Sequence, residues 1–260
     1  MLRGVIIAHE SGQLFFYYFS KGVRLNPILI GSILSALVSF VAETLGCKIR
    51  AVETEGLSIL MMVKDHILFV FVVDQGDYFS LASKYMTLMS DEFIREFRNI
   101  LIENTYSMEP FKGFKESVKK YEREYLKELI VLKLKEVMKM YKWLYKKFGR
   151  VIEALITGKK VYVVGENPRL CQLLESFAYK EVYGECDNLL TERRVIEIDR
   201  KEVEKYQKQG IVIDPKKKEV YGKPGTLGEY LEKYLKKKDI KKIADMIISH
   251  ITCIKSQNSH

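Results

Sequence analysis

The alternation of hydrophobic and polar positions at the start of the chain predicts a β-hairpin followed by a long helix. Two short apolar and aromatic runs, residues 4–9 and 14–20, are separated by a polar turn. Residues 26–27, Asn-Pro, form a helix-capping pair, and apolar residues then continue from 28 to 45 until Gly46. Because apolar side chains occupy much of the circumference, we expect this helix to be sandwiched rather than to lie on a surface.

Three further apolar runs predict a strand meander. The runs 48–54, 57–63 and 67–73 are divided by short polar turns, and a helical pattern follows at residues 79–102. The order ββαβββα predicts one five-stranded antiparallel sheet, and we expect the long helix to cover it without leaving a cavity. We assign this domain to residues 1–108.

The middle of the chain has helical spacing throughout. Apolar residues recur on a narrow stripe from 111 to 148, with lysines and glutamates between them. A single helix of that length would span about 55 Å, which is longer than a small domain is wide. We therefore interpret residues 109–150 as a helical connector, formed by one helix or by two helices with a bend.

The remaining residues, 151–260, alternate between strand and helix patterns. Strands are predicted at residues 160–164, 194–198, 210–213 and 219–221, and helices at 168–179, 226–235 and 240–254. A small mixed sheet covered by helices is the expected arrangement. The fold class expected for the whole chain is thus α/β (α+β).

Charge divides the chain into two differently constituted halves. Residues 1–110 hold 9 Lys/Arg and 12 Asp/Glu, whereas residues 111–260 hold 34 and 22. A basic half can contact an anionic membrane, nucleic acid or an acidic protein. Because most of the lysines alternate with glutamates at helical spacing, a solvated helix face is the favoured interpretation. Abundant Lys, Glu, Ile and Tyr also suit a thermophile.

Nothing in the sequence predicts a membrane or secreted protein. The apolar run 28–45 is interrupted by Ser32, Ser35, Ser39 and Glu43, and the first residues lack the basic region of a secretory signal. We expect a cytoplasmic protein. In that setting thiols stay reduced.

Cysteine and histidine spacings give no metal-binding pattern. Neither residue type occurs in the paired spacings that zinc sites use. The residues concerned are Cys47, Cys171, Cys186 and Cys253, and His9, His66, His250 and His260. No metal site and no disulfide framework is predicted.

Two segments superficially resemble phosphate-binding loops. A predicted strand ends at Gly165 before the helix that starts at Pro168, which is where dinucleotide folds place a pyrophosphate, but the further glycines are missing and Glu166 would repel an anion. Residues 157–160, Thr-Gly-Lys-Lys, lack the earlier glycine and the hydroxyl of a Walker loop. We expect no cofactor.

Candidate catalytic groups are few. No nucleophile elbow is present, and Glu53 and Glu55, which share a strand face, are interpreted as solvent-facing residues. An unrecognised enzyme would use strand-end carboxylates such as Glu166, Asp199 or Asp214. We expect no catalytic residue in this chain.

Lysine-rich stretches in the second half keep a nucleic-acid or lipid hypothesis open. Lysines at 216–218, 236–238 and 241–242 lie near tyrosines and could contact phosphates while the rings stack on bases or reach lipid headgroups. The tyrosines are Tyr221, Tyr230 and Tyr234. No nucleic-acid-binding motif accompanies them.

The N-terminal pattern resembles the longin/roadblock superfamily. The matching features are the hairpin 4–20 with Ala-His-Glu-Ser-Gly at its turn, the helix 28–45, the meander that ends with residues 67–74, and the helix after Asp77. The resemblance implies a domain that holds partner proteins, typically small GTPases.

The second half resembles the α/β lobe of DENN domains. The segment 155–164 passes from a helix through Gly-Lys-Lys into a Val-rich strand, and a later strand ends at Asp214. A longin domain followed by a DENN-like lobe is the arrangement of folliculin and related trafficking regulators. Some of these supply an arginine in trans to a GTPase, but no arginine here matches such a motif.

Two functional hypotheses follow. The first is a non-catalytic interaction or regulatory protein for trafficking or signalling, which binds a small GTPase or a longin-type partner. It could form a homodimer through helices or sheet edges and contact an anionic membrane through its basic half. The alternative is a nucleotide- or nucleic-acid-binding regulator with a sensor-like first domain, as in PAS-like or GAF-like folds.

Overall fold

The chain folds into two compact units, Met1–Leu129 and Ile130–His260, in a computed structural model. The structure describes residues 1–20, 25–54, 56–102, 107–178 and 194–257, with side chains described as far as 253. Glu55, Cys186 and His260, named above as candidates, lie outside the described residues.

The first unit is built on one antiparallel sheet, as predicted. Its strands are β1 Leu2–His9, β2 Leu14–Phe19, β3 Ala51–Glu53, β4 Leu57–Lys64 and β5 Ile67–Asp74. Their order is β2-β1-β5-β4-β3, so the first and last strands of the unit are neighbours at the centre. This five-stranded sheet with its helices is compatible with a longin-like fold.

Side-chain alternation gives the sheet two apolar faces. Ile6 pairs with Val70 on one face, and Ile7 pairs with Phe69 on the other. The first face receives helix α1, Pro27–Leu45, and the second receives α2, Phe79–Ile102. The strands are hydrophobic on both sides because both faces are covered.

An aromatic cluster joins the second sheet face to its helices. The ring of Phe93 lies 5.9 Å from that of Phe69 on β5, and 5.0 Å from that of Phe114 at the start of α3, Phe114–Met140. Phe111 stacks at 5.4 Å on the same ring. Offset and edge-to-face pairs of this kind add to the hydrophobic gain of burial.

Tyrosines that donate hydrogen bonds to carboxylates fasten the first half of α3 to the same unit. The phenol of Tyr125 donates to Asp77 at 2.9 Å, and Tyr121 donates to Glu92. Burial, followed by this carboxylate, raises the pKa of Tyr121 to about 12. Consequently the boundary between the units, at 129/130, falls inside the segment 109–150 that the sequence analysis treats as a connector.

The second unit contains a four-stranded mixed sheet, which was also predicted. Its strands are β6 Val161–Val164, β7 Val195–Ile198, β8 Ile211–Asp214 and β9 Glu219–Tyr221, in the order β7-β6-β8-β9. Strand β6 runs parallel to both β7 and β8, and β9 is antiparallel. Its helices are α4 Lys142–Tyr145, α5 Phe148–Ile156, α6 Pro168–Glu175, α7 Val203–Gln207, α8 Thr226–Lys236 and α9 Ile240–Gln257.

Helices α5 and α8 of this unit cross at close range. A Cβ atom placed on Gly149 would lie 2.5 Å from the carbonyl oxygen of Gly228, so only glycine permits this approach. Beside the crossing, Arg150 and Glu232 form a two-pronged ion pair at 2.7 and 3.1 Å.

Candidate docking surface

Helix α1 begins and ends where its capping residues require. The side chain of Asn26 accepts hydrogen bonds from the amides of Ile28 and Leu29, at 3.1 and 3.2 Å. Pro27 occupies the first helical position, and Gly46 ends the helix with a left-handed backbone, φ 63°. The sequence predicted both ends of the helix, because capping depends on residues close to each end.

One face of α1 packs tightly on the sheet. Gly31 faces β1, and a Cβ there would lie in ordinary van der Waals contact, 3.9 Å from Ile6 and 4.0 Å from Ala8. The hydroxyl of Ser35 donates to the carbonyl of His9 at 3.2 Å. Leu34, 6% exposed, completes the contact with an apolar cluster whose other buried members are Ile6, Leu14, Met61, Leu68 and Val70.

The opposite face of α1 is apolar and exposed. Ile28, Leu29, Ile33 and Phe40 are 62%, 56%, 56% and 60% exposed, respectively. The expectation that α1 is sandwiched is therefore wrong for the described residues. The physical reason is that α1 has apolar residues on two faces, and the sheet buries only one of them.

The exposed apolar residues form a regular line. Leu29, Ile33, Ala36 and Phe40 follow one another at intervals of four, three and four residues, and all four are exposed. We call this line the α1 stripe. Intervals of three and four are those by which one helix packs against another. Glu43 is the single charged residue in α1, and it lies on the flank of the stripe.

The stripe could also suggest a membrane segment. Among the helices of the described ranges, α1 is long and apolar enough to cross a bilayer by length and composition. Leaving the sheet would, however, uncover Ile6, Leu68 and Val70, all of which are fully buried beneath it. This burial argues against a position of α1 away from the sheet and within a bilayer.

Strand β3 is one of the two edge strands of the sheet, and β2 is the other. In the described part of the chain this three-residue strand pairs with β4 alone, and its last residue, Glu53, is exposed. The proposed carboxylate pair with Glu55 extends into a residue outside the described ones. Glu53 itself lies on an open edge rather than in a cleft.

A crevice in the second unit lies at the carboxyl ends of β6 and β8. Its volume is about 460 Å³, and Gly165, Glu166, Asn167 and Lys216 contribute to its lining. In open α/β sheets ligands bind at such a point, where the strand order reverses. The backbone amide of Asn167, however, donates to the exposed Glu197 at 3.0 Å, so this amide at the start of α6 already has a carboxylate partner.

The strand-end carboxylates have structural partners. Asp214, 1% exposed, accepts hydrogen bonds from the amides of Lys216 and Lys217, both at 3.0 Å, and from Arg200 at 3.3 Å. Asp199 forms a capping box with Glu202 at the start of a short 3-10 turn. Both groups hold turns in place.

The other candidate groups remain dispersed. The described residues contain no cluster of three or more His, Cys, Asp or Glu side chains that could hold a metal ion. The lysines at 216–218, 236–238 and 241–242 are all exposed, in keeping with a solvated surface. Cys47 and Cys253 are exposed thiols.

Comparison with known proteins adds no relative. No family model matches the chain, and no curated protein matches it significantly. The α1 stripe is accordingly the strongest candidate for a functional surface among the described residues, and sequence reasoning missed it. The signal was present in the second set of three- and four-residue intervals in α1, opposite the set that faces the sheet.

Proposed function

We propose that this protein is a non-catalytic interaction or regulatory protein that docks a partner protein on the α1 stripe. The observation that carries the proposal is the exposure of Leu29, Ile33 and Phe40 on a helix whose other face is fixed to the sheet. A contiguous apolar patch of several hundred Å² on a folded domain usually marks an interaction site.

The longin-like sheet supports the class of partner. The resemblance of the first unit to longin/roadblock domains, and of the second to the lobe of DENN domains, points to small GTPases or longin-type proteins in trafficking or signalling. The spacing of the stripe favours a helical element in the partner, because knobs at such intervals fit between the side chains of another helix.

The chemistry of the second unit supports a binding role over a nucleotide-dependent one. Beside its crevice the amide of the N-cap residue Asn167 is satisfied by Glu197, and the lining of the crevice carries the negative Glu166 as well as the positive Lys216. A phosphate that binds the Asn167 amide would have to displace Glu197 from it and approach Glu166. This arrangement disfavours the alternative of a nucleotide-binding regulator.

The proposal is tested by retention on immobilised, purified small GTPases of the same organism, loaded with GTP or GDP. The variants are Ile33→Asp, which places a charge in the stripe, and Leu88→Asp, the same kind of change at an exposed leucine on α2 (40% exposed). We expect state-dependent retention of the wild type and of Leu88→Asp.

The Ile33→Asp variant should no longer be retained on the immobilised GTPase. The charge would disrupt the stripe whether the GTPase binds there directly or binds an oligomer that forms through the stripe. Equal retention of both variants would contradict a role for the stripe. Absence of retention of the wild type in either nucleotide state would contradict the GTPase class itself.

A further inference from the structure

We propose that the occupant of the α1 stripe is a second copy of this chain, with the two α1 helices packed antiparallel through their exposed faces, around a two-fold axis at the level of residues 34 and 35 along the helix. The inference rests on the proposed function in one respect, that the stripe is a protein-docking surface. It adds the identity of the partner and the geometry of the contact.

The stripe is complementary to itself in the antiparallel direction. The pair Leu29 and Phe40 and the pair Ile33 and Ala36 share one midpoint, between residues 34 and 35. When one helix is reversed on the other about that midpoint, Leu29 meets the second copy's Phe40, and Ile33 meets the second copy's Ala36. The bulky Ile33 then faces the small Ala36, Leu29 and Phe40 make an apolar pair at each end, and every contact occurs twice, as in an isologous interface.

The charge on α1 selects the same direction. Glu43 has Asn26 as its counterpart about the common midpoint, and Asn26 is the cap at the helix N-terminus. An antiparallel pair thus places each carboxylate at the level of the positive end of the other helix. A parallel pair would place the two Glu43 carboxylates beside each other and align the helix dipoles unfavourably.

The available area is close to what a specific dimer needs. Side chains of this size expose roughly 100 Å² each when about 60% accessible, so the stripe with Ile28 and its small neighbours offers roughly 500 Å² per copy. Two copies would bury about 1,000 Å², the lower bound for a specific interface. The 19 residues of α1 also give a contact line of about 28 Å.

The oligomeric state is measured by sedimentation velocity on the full chain, over roughly a hundredfold range of micromolar concentrations. We expect the wild type and Leu88→Asp to reach twice the 30.3 kDa mass of the chain, and Ile33→Asp to stay at the mass of one copy. Far-UV circular dichroism verifies that each variant is folded. Leu29→Gln, a milder change at the end of the stripe, provides a second variant should Ile33→Asp reduce the folded fraction.

Disulfide trapping tests the direction of the helices. Chains with Ile33→Cys and chains with Ala36→Cys, both in a background in which Cys47 and Cys253 are serine, are mixed and oxidised. The antiparallel geometry predicts disulfides between the two kinds of chain in excess over those within each kind. A parallel pair would give the reverse.

The outcomes separate this inference from the proposed function. A wild type that stays monomeric yet retains a GTPase through the stripe would overturn the second copy as occupant and leave the docking surface standing. A dimer that Ile33→Asp does not weaken, or trapping within each kind of chain, would also overturn the inference. A wild type that neither dimerises nor is retained on a GTPase would overturn both proposals.

Discussion

Replacing Leu34 by alanine tests directly whether α1 is fixed to the sheet through one face. Leu34 is 6% exposed and lies over the fully buried Leu68 and Val70. Its truncation removes buried apolar surface and leaves a cavity, and such changes cost about 3–5 kcal/mol in a rigid core. Because α1 is covered on one side only, it can settle towards the gap, so we expect about 2–3 kcal/mol.

Hydrogen exchange is the appropriate assay, because a chain of two units need not unfold in one step. A loss of about 2.7 kcal/mol corresponds to roughly a hundredfold faster exchange of the amides in β1 and β5. The matched control is Leu88→Ala, the same chemical change at a leucine that is 40% exposed, for which we expect less than tenfold. Similar effects of the two substitutions would refute the docking of α1 on the sheet.

Three further predictions concern other parts of the molecule. Burial raises the pKa of Asp74, but the α-ammonium group of Met1 and the guanidinium of Arg3 outweigh this effect and lower the pKa to about 2. The stability that Asp74 contributes is therefore present above about pH 4 and is lost as the pH falls towards 2. Urea titrations at several pH values should find this pH dependence of the free energy of unfolding reduced in Asp74→Asn. Gly149→Val should destabilise the second unit by about 3 kcal/mol in thermal unfolding because its Cβ would meet backbone at 2.5 Å, whereas Gly113→Ala, with open space around it, should be neutral. Millimolar nucleotide should leave the melting temperature unchanged, and a rise of several degrees would show that the folded protein binds nucleotide.

Local signals were sufficient to predict most elements of the fold. Turn residues and capping pairs act over a few positions, so the hairpin, the bounds of α1 and the predicted strand at 67–73 follow from the sequence alone. The pairing of β1 with β5 joins residues about 65 positions apart. The pairing of these two strands depends on how the helices cover the two sheet faces, and no local sequence pattern predicts that arrangement.

The helical segment after residue 110 shows a different limit. Its apolar positions from Phe114 to Phe148 were predicted to lie on one stripe, and many of them are indeed buried. The sequence pattern does not predict which of the two units buries which part of this helical segment. In the structure the residues up to 129 belong to the first unit and those from 130 to the second, and the helix α3 ends at Met140.

The stripe on α1 escaped prediction for a related reason. Apolar residues all around a helix indicate that every face is buried. The periodicity of the sequence cannot distinguish burial by the same chain from burial by a partner protein. We assumed the former. Only the exposure of Ile33 and Phe40 in the folded unit distinguishes the two.

Side-chain footprinting of the α1 stripe tests the account most directly. Carbene labelling of Leu29, Ile33 and Phe40 is followed by mass spectrometry across a range of protein concentrations, with Leu88 as the internal reference. The account predicts that labelling of the three stripe residues falls as the protein assembles while labelling of Leu88 stays constant. Undiminished labelling of the stripe in the assembled protein, or in its complex with a bound GTPase, would contradict it.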